Sequence, residues 1–302
     1  MKKIAILLCL LFVGYQTKAQ QIHQLTQYMS NNYAYNPAVA GSSDMFVSKM
    51  QFRKQWAGLE GSPTTFLVSL HGSILPDSKS VGLGAILYSD VTGPTGRTGM
   101  QLSYAYQLPL DNLGETHLGL GIAGNFMQYR IKFDELVLWD DNDPQVGTGK
   151  QSKIGADAHL GAYLSNKNYW AGISVNQLFA SKFSFVADGE SVQNNQHIYL
   201  TGGYKYDFSH EFALEPGLLL KMVKGASPQA EIFARGIYTM DDNQYWLGAS
   251  LRTADAFNIM VGINLDNGFN FGYSYDITTS GLNKASNGSH ELSLGFDFSI
   301  FQ

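Results

Sequence analysis

Apolar and polar residues alternate with a period of two through almost the whole chain after residue 44. Met100, Leu102, Tyr104, Tyr106 and Leu108 are interleaved with Gly99, Gln101, Ser103, Ala105 and Gln107. Phe269, Phe271, Tyr273, Tyr275 and Ile277 are interleaved with Asn270, Gly272, Ser274 and Asp276. Leu292, Leu294, Phe296, Phe298 and Ile300 repeat the pattern against Ser293, Gly295, Asp297 and Ser299. Successive side chains of a strand point to opposite faces, so each stretch carries one apolar, aromatic face and one small or polar face. The runs are about 9–12 residues long, the length a tilted strand needs to cross a bilayer; ordinary strands are nearer 5–6. The pattern predicts strands near 45–55, 64–73, 80–89, 98–108, 115–129, 152–165, 168–177, 196–208, 211–222, 229–239, 243–253, 256–265, 269–278 and 289–301. The expected fold is all-β, a transmembrane outer-membrane antiparallel β-barrel of about fourteen strands.

The connections test that count. In such barrels short turns face the periplasm and long loops face outward, in alternation. The even-numbered connections are compact, and Asp266-Asn267-Gly268 carries an Asn-Gly hairpin turn. The odd-numbered ones include the long stretches 130–151, 178–195 and 279–288. Thr253-Ala254-Asp255 breaks the trend: it should be external, yet it is short. At the end of the chain, Ser293 to Ile300 fits the polar-x-Gly-x-x-apolar-x-apolar pattern of a terminal barrel strand, whose exposed edge can pair before closure removes it.

The N-terminus is different. Lys2 and Lys3, the apolar run Ile4 to Val13 and Ala19 before Gln20 have the layout of a cleaved secretory signal peptide. Cys9 lies inside the apolar run after Leu7-Leu8, which argues against a lipoprotein signal. The expected division is 1–19 signal peptide, 20–44 a periplasmic or lumen-packed segment, and 45–302 barrel. Residues 21–44 are polar and aromatic without alternation, and too aromatic for an ordinary disordered tail. Cleavage would remove the one cysteine, and with it disulfide and thiol chemistry. It would also remove Lys2, Lys3 and Lys18, so that 17 basic residues face 25 acidic ones, a formal charge of −8. Such a chain offers nucleic acid no electrostatic surface. No later stretch reaches the roughly 18 apolar residues of a membrane helix, which a barrel does not need.

Candidate chemistry is sparse. Gly119-Leu120-Gly121-Ile122-Ala123-Gly124 matches Gly-x-Gly-x-x-Gly, but a dinucleotide loop must leave a strand and open a helix. Here the glycines lie within a strand and read as sites where neighbouring strands approach and bend. Asp140, Asp141 and Asp143, with Asn142, form an acidic cluster that calcium could use, although the full calcium-loop spacing is missing and Asp or Asn before Pro144 also forms turns. The seven histidines lie on separate segments without metal-ligand spacing; His71 and His159 read as lumen-facing. No nucleophile motif is visible, so neither an enzyme nor a cofactor is expected.

Two motifs stand out. One is Gln27-Tyr28-Met29 followed by Asn36-Pro37-Ala38-Val39-Ala40-Gly41; the other is Arg53-Lys54-Gln55-Trp56-Ala57-Gly58-Leu59-Glu60-Gly61-Ser62-Pro63-Thr64. Together they closely resemble the opening of the PorP/SprF family of type IX secretion system membrane proteins. The resemblance continues through Phe133-Asp134-x-Leu136, Asp143-Pro144, Ser174-Val175-Asn176-Gln177-Leu178-Phe179 and Gly288 to Leu294. It implies an outer-membrane protein of gliding and related bacteria. Its implied partners are other type IX components and a large secreted, adhesin-like cargo with a C-terminal targeting domain. The implied role is to bind, help secrete or anchor that cargo.

On the residues themselves, Arg53 shares a polar, lumen-facing side with Lys49, Gln51 and Gln55, while Met50 and Phe52 face lipid. Trp56 falls at the strand end, where an aromatic belt is expected, and Gly58, Gly61 and Pro63 shape the first external loop. Either this is a rigid turn that fixes the first hairpin, or Arg53 and Trp56 shape a surface that receives the partner. Tyr28, Met29, Asn36, Pro37 and Gly41 complete the candidate partner-binding set. The competing function is a porin-like diffusion channel for small solutes, which needs an open polar lumen. A lipid-acting barrel enzyme ranks third.

Overall fold

The computed structural model describes residues 22, 24–75, 80–137, 146–185 and 191–300. The signal-peptide stretch and the calcium candidates Asp140, Asp141 and Asp143 lie outside them. Fourteen long strands follow one another: β1 (Phe46–Lys54), β2 (Thr64–Ser73), β3 (Val81–Thr92), β4 (Thr95–Pro109), β5 (His117–Lys132), β6 (Lys150–Ser165), β7 (Tyr169–Asn176), β8 (His197–Tyr204), β9 (Phe212–Val223), β10 (Gln229–Met240), β11 (Asn243–Arg252), β12 (Ala256–Asn264), β13 (Phe269–Thr278) and β14 (Ser289–Phe298). Each pairs antiparallel with its neighbours, and β1 pairs with β14 from Phe46 opposite Phe298 to Lys54 opposite His290. The sheet is therefore closed, which removes the edges that would otherwise expose backbone groups to lipid.

Alternation sorts the side chains as the sequence predicts. Met50 and Phe52 are 43% and 46% exposed on the outer wall, while Gln51 and Arg53 between them are 1% exposed inside. Phe46, Phe269, Phe296 and Phe298 form a stacked outer cluster near the chain termini, with ring centroids 4.6–5.9 Å apart. Such aromatic girdles mark a membrane interface.

Both ends of the barrel sheet lie on one side, with the turns 166–168, 241–242 and 265–268. Short turns assign that side to the periplasm. Every odd-numbered connection lies at the other, external end, including 253–255. The third connection is also shorter than the sequence suggested. β3 and β4 extend until only Gly93-Pro94 joins them, and Gly93 turns at φ +51° with its N–H donating to the Gly61 carbonyl at 2.8 Å. The eighth strand is interrupted at Lys205, whose N–H still donates to the Asn168 carbonyl in the β7–β8 register; Tyr206–Asp207 then continues the pairing with β9 in the same register.

Strand length is uneven. β4, β5 and β6 have 15, 16 and 16 residues, whereas β7 and β8 have 8 each. A crossing needs about 9–11 residues, so the long strands carry the wall beyond the external membrane surface.

Candidate functional site

Residues 24–42 do not join the wall; they fill the lumen. The segment is a chain of single 3₁₀ turns at Tyr28–Ser30, Asn32–Ala34 and Pro37–Val39. Local chemistry explains the last of them. The Asn36 carboxamide oxygen accepts the Ala38 N–H at 3.0 Å, and Pro37 opens the turn with a preset φ. The Tyr35 hydroxyl accepts the Leu25 N–H at 2.8 Å, which folds the segment back on itself. Tyr28 meets Phe233 edge-on at 5.5 Å, and Tyr35 meets Tyr199 at 5.0 Å. Leu25, Tyr28 and Tyr33 are fully buried.

The segment enters at the periplasmic end of β1, returns toward that end at Met29 and Ser30, and reaches the exterior side at Thr26 and Gln24. Gly41 and Ala40 lie against Gly82, and Ala38 against Gly119 and Gly121; a Cβ at any of these three wall glycines would collide with the segment backbone. The Gln107 side-chain amide donates to the carbonyls of Ala38 and Ala40 at 2.9 and 2.7 Å. The Asn36 amide reaches the carbonyls of Ala162 and Ile173, and the Tyr35 carbonyl accepts from Ser174 and Asn176. Midway up, Asn31 donates to Gln51 and Ser69, and the Tyr33 hydroxyl donates to Ser103.

Nearer the exterior the contacts are ionic. Thr26 and Gln27 donate their N–H groups to the two Glu291 carboxylate oxygens at 2.6 and 2.9 Å. The Thr26 hydroxyl donates to Asp276 and accepts from Arg53 at 2.6 Å. Arg53 pairs with Asp276 at 2.7 Å and Glu291 at 3.5 Å. Arg252 pairs with Glu231 at 2.8 Å, Asp255 at 3.1 Å and Asp276 at 3.4 Å. Both arginine side chains are at most 2% exposed. Buried charges persist only when they are paired and hydrogen-bonded, and here one threonine hydroxyl joins the two arginines' shared partner to the segment. Gln24 extends the contact by accepting from Lys221 at 3.0 Å.

Between the segment and β2–β7 remains a cavity of ≈ 40 Å³, lined by Ile86, Tyr88, Arg97, Met127 and Asn176. At about 10–15 Å³ per water that is room for a few water molecules. The connection after β7 folds into the external mouth above it. Its Phe183 packs on Met127, Tyr129 and Ile131, and Asp157 accepts the N–H groups of Phe179 and Ser181. At the periplasmic mouth a larger polar cleft of ≈ 410 Å³ opens beside Met29, Ser30, Lys49 and Arg235.

The sequence-predicted residues fall into two groups. Tyr28, Met29, Asn36, Pro37, Gly41, Arg53 and Gln55 are buried inside. Trp56, Gly58, Gly61 and Pro63 lie on the first external loop, where Gly58 and Gly61 take φ of +89° and +68°. That loop clasps the last external one: Trp56 N–H donates to Ser289 Oγ at 3.0 Å, the Ala57 N–H donates to the Gly288 carbonyl at 2.7 Å, and the Asn287 N–H donates to the Ala57 carbonyl at 2.7 Å. Thus Gln27 of one motif and Arg53 of the other meet on the Glu291 carboxylate, while Trp56 bonds to Ser289. Sequence reading missed Thr26, Glu231, Arg252, Asp255 and Asp276. The signal was available for the strand-borne three: a charge on the inward phase of a membrane strand is costly and marks a site by default. Among the described residues no cluster is arranged to hold a metal ion.

Solved structures share the architecture. The CymD monoaromatic hydrocarbon channel superposes with a TM-score of 0.55 at 10% identity, covering 90% of this chain and 93% of that one. The Pseudomonas putida toluene transporter TodX gives 0.51 at 10% identity, covering 95% and 96%. At such identity the likeness is one of fold, that of an outer-membrane β-barrel. No curated protein sequence matches the chain significantly. The profile of one family, type IX secretion system membrane protein PorP/SprF, matches residues 17–296. That span takes in the whole lumen segment and runs into the last strand, so the chain belongs to the PorP/SprF family.

Proposed function

We propose that this protein works at the outer membrane as a capture component of the type IX machinery. It binds a large secreted, adhesin-like cargo with a C-terminal targeting domain, and helps to export it or holds it at the cell surface. Family membership supplies the secretion system. The observation that carries the reading is the filled lumen: residues 24–42 are locked to a buried cluster of two arginines and four carboxylates. A diffusion channel would need that segment to leave. With the lumen occupied, the surface left for a partner is external: the loop Gln55–Pro63 with Trp56, Gly58 and Gly61, and the connections after β5 and β7.

The direction of the segment also supports export with a cleaved leader. Gln24 and Thr26 sit near the external end of the lumen. A leader still held in the inner membrane could not reach that place through a closed barrel.

Affinity purification of the full chain from the outer membrane tests the reading. The expected result is co-recovery of type IX components and a surface protein carrying a C-terminal targeting domain. Recovery of neither, under conditions that preserve such complexes, would remove it.

A further inference from the structure

The outer wall meets lipid all round, and on β9, β10 and β11 it is indented. Near the periplasmic end a notch of ≈ 360 Å³ lies among Phe212, Gly236, Tyr238, Tyr245 and Leu247. Gly236 creates it. Even-numbered residues of β10 face outward, as exposed Ile232 beside buried Phe233 shows, and Gly236 stands between Leu214 and Leu247. A Cβ built on Gly236 would come no closer to its surroundings than 3.9 Å, from the Leu247 carbonyl oxygen. The next outward row, of Pro216, Ala234 and Ala249, is also small, and Leu218, Ile232 and Leu251 close the channel beyond it. From Tyr238 to Ile232 the strand climbs about 20 Å, roughly 15 Å along the membrane normal at the usual tilt. That is half of a ~30 Å hydrocarbon core, the depth of one leaflet.

Polar groups follow in order toward the periplasm. Phe212, Tyr238 and Tyr245 form one outward row, with the Phe212 and Tyr238 rings 4.8 Å apart. Such rings sit at headgroup level, and a phenol hydroxyl can donate to a phosphate oxygen there. Below them, the turns flanking the notch, 205–211 and 241–242, carry Asp207, Glu211, Asp241 and Asp242 against one lysine, Lys205. Lys205 pairs with Asp207 at 3.2 Å, and Asp242 also borders the periplasmic cleft. Glu211 and Asp241 are exposed and have no cation within ion-pair distance among the described residues. The next turns along the rim add Lys167, which pairs with Glu115 at 3.5 Å, and Asp266, so the sign of the foot is unchanged.

We propose that this notch binds one phospholipid of the periplasmic leaflet, with an amine headgroup of the phosphatidylethanolamine type. An acyl chain lies in the channel over Gly236, the Tyr238 and Tyr245 hydroxyls donate to the phosphate, and Glu211 and Asp241 receive the ammonium. The three layers stand in the order in which such a lipid presents its parts. Carboxylates at the foot repel an anionic headgroup, and aromatic rings favour a cation. The site lies on the membrane face, away from the external surface assigned to a protein partner, and does not depend on that assignment.

Native mass spectrometry tests it, with the full chain in mild detergent offered phosphatidylethanolamine and phosphatidylglycerol of identical acyl chains. One phosphatidylethanolamine should stay bound, preferred over phosphatidylglycerol by roughly tenfold, the worth of one hydrogen bond to a charged group. Gly236→Leu fills the notch where the wall leaves room and should remove that lipid. Glu211→Gln with Asp241→Asn should keep a lipid bound but erase the preference; asparagine tolerates the left-handed φ of +49° at 241. Retained heat-modifiable migration shows that each variant folds, and if Gly236→Leu does not, the carboxylate variant decides. Equal retention of the two lipids by the unmodified chain, or a preference unchanged in either folded variant, overturns the proposal. A lipid-free dimer that Gly236→Leu dissociates would give the notch to a second copy of the chain and overturn it too.

Discussion

Residues 24–27 and residues 35–42 occupy the same lumen, yet the wall holds them by different means. The upper stretch is gripped by charge: Thr26 and Gln27 bond to carboxylates that are themselves paired with Arg53 and Arg252. The lower stretch is gripped by shape and neutral amides: Ala38 and Ala40 lie on wall glycines and under Gln107. Charge-assisted bonds are roughly twice as strong as neutral ones, but a buried charge that loses its partner is a liability. Close backbone contact has no such weakness and tolerates no added atom. The upper end is thus the one a chemical event could open, and the lower end is the anchor next to β1.

Variants can set the two stretches against each other. The largest effect is expected from Arg252→Ala, which strands Glu231 and Asp255 and leaves Asp276 to Arg53 alone. Removing one partner of a buried ion pair costs roughly 3–5 kcal/mol. Hydrogen exchange should quicken over residues 24–27 while 37–41 stay protected; equal loosening of both would show that the segment moves as one body. Gly121→Val should give the reverse pattern. Overpacking costs about 1–3 kcal/mol, and the site of loss should be 37–41. Thr26→Val keeps the shape but removes the hydroxyl between Arg53 and Asp276, at a cost of roughly 1.5–3 kcal/mol for bonds to charged groups. Limited proteolysis from the external side should then cut near residue 26 faster than in the unmodified chain. Asn36→Ala removes a turn cap worth about 1 kcal/mol. Its amide bonds to Ala162 and Ile173 go as well, and exchange at Ala38 should rise modestly with the upper stretch unchanged.

The wall was legible in the sequence because alternation is a local signal. Gln51 and Arg53 against Met50 and Phe52 sufficed to tell the inside from the outside. The site was only partly legible. Tyr28, Asn36 and Arg53 stood in recognisable motifs, but their partners did not. Thr26 and Glu291 are 265 residues apart in sequence, and only barrel closure, which puts β14 beside β1, brings them together. The glycines at 119 and 121 were assigned to strand–strand approach, and in the structure the close approach is made by the N-terminal segment. A strand pattern records that a side chain is small; it does not record what comes near it. The short third connection was missed for a similar reason. Gly93-Pro94 reads as a loop, and nothing local shows that Gly61 of another loop will hold it tight.

The central claim is that the N-terminal segment closes the lumen, and single-channel recording in planar bilayers tests it most directly. The full chain should stay electrically silent, while a chain lacking residues 22–42 should conduct, since a barrel of fourteen strands leaves room for an aqueous path once emptied. Steady, large openings from the unmodified chain would contradict the account and return the protein to the diffusion channels.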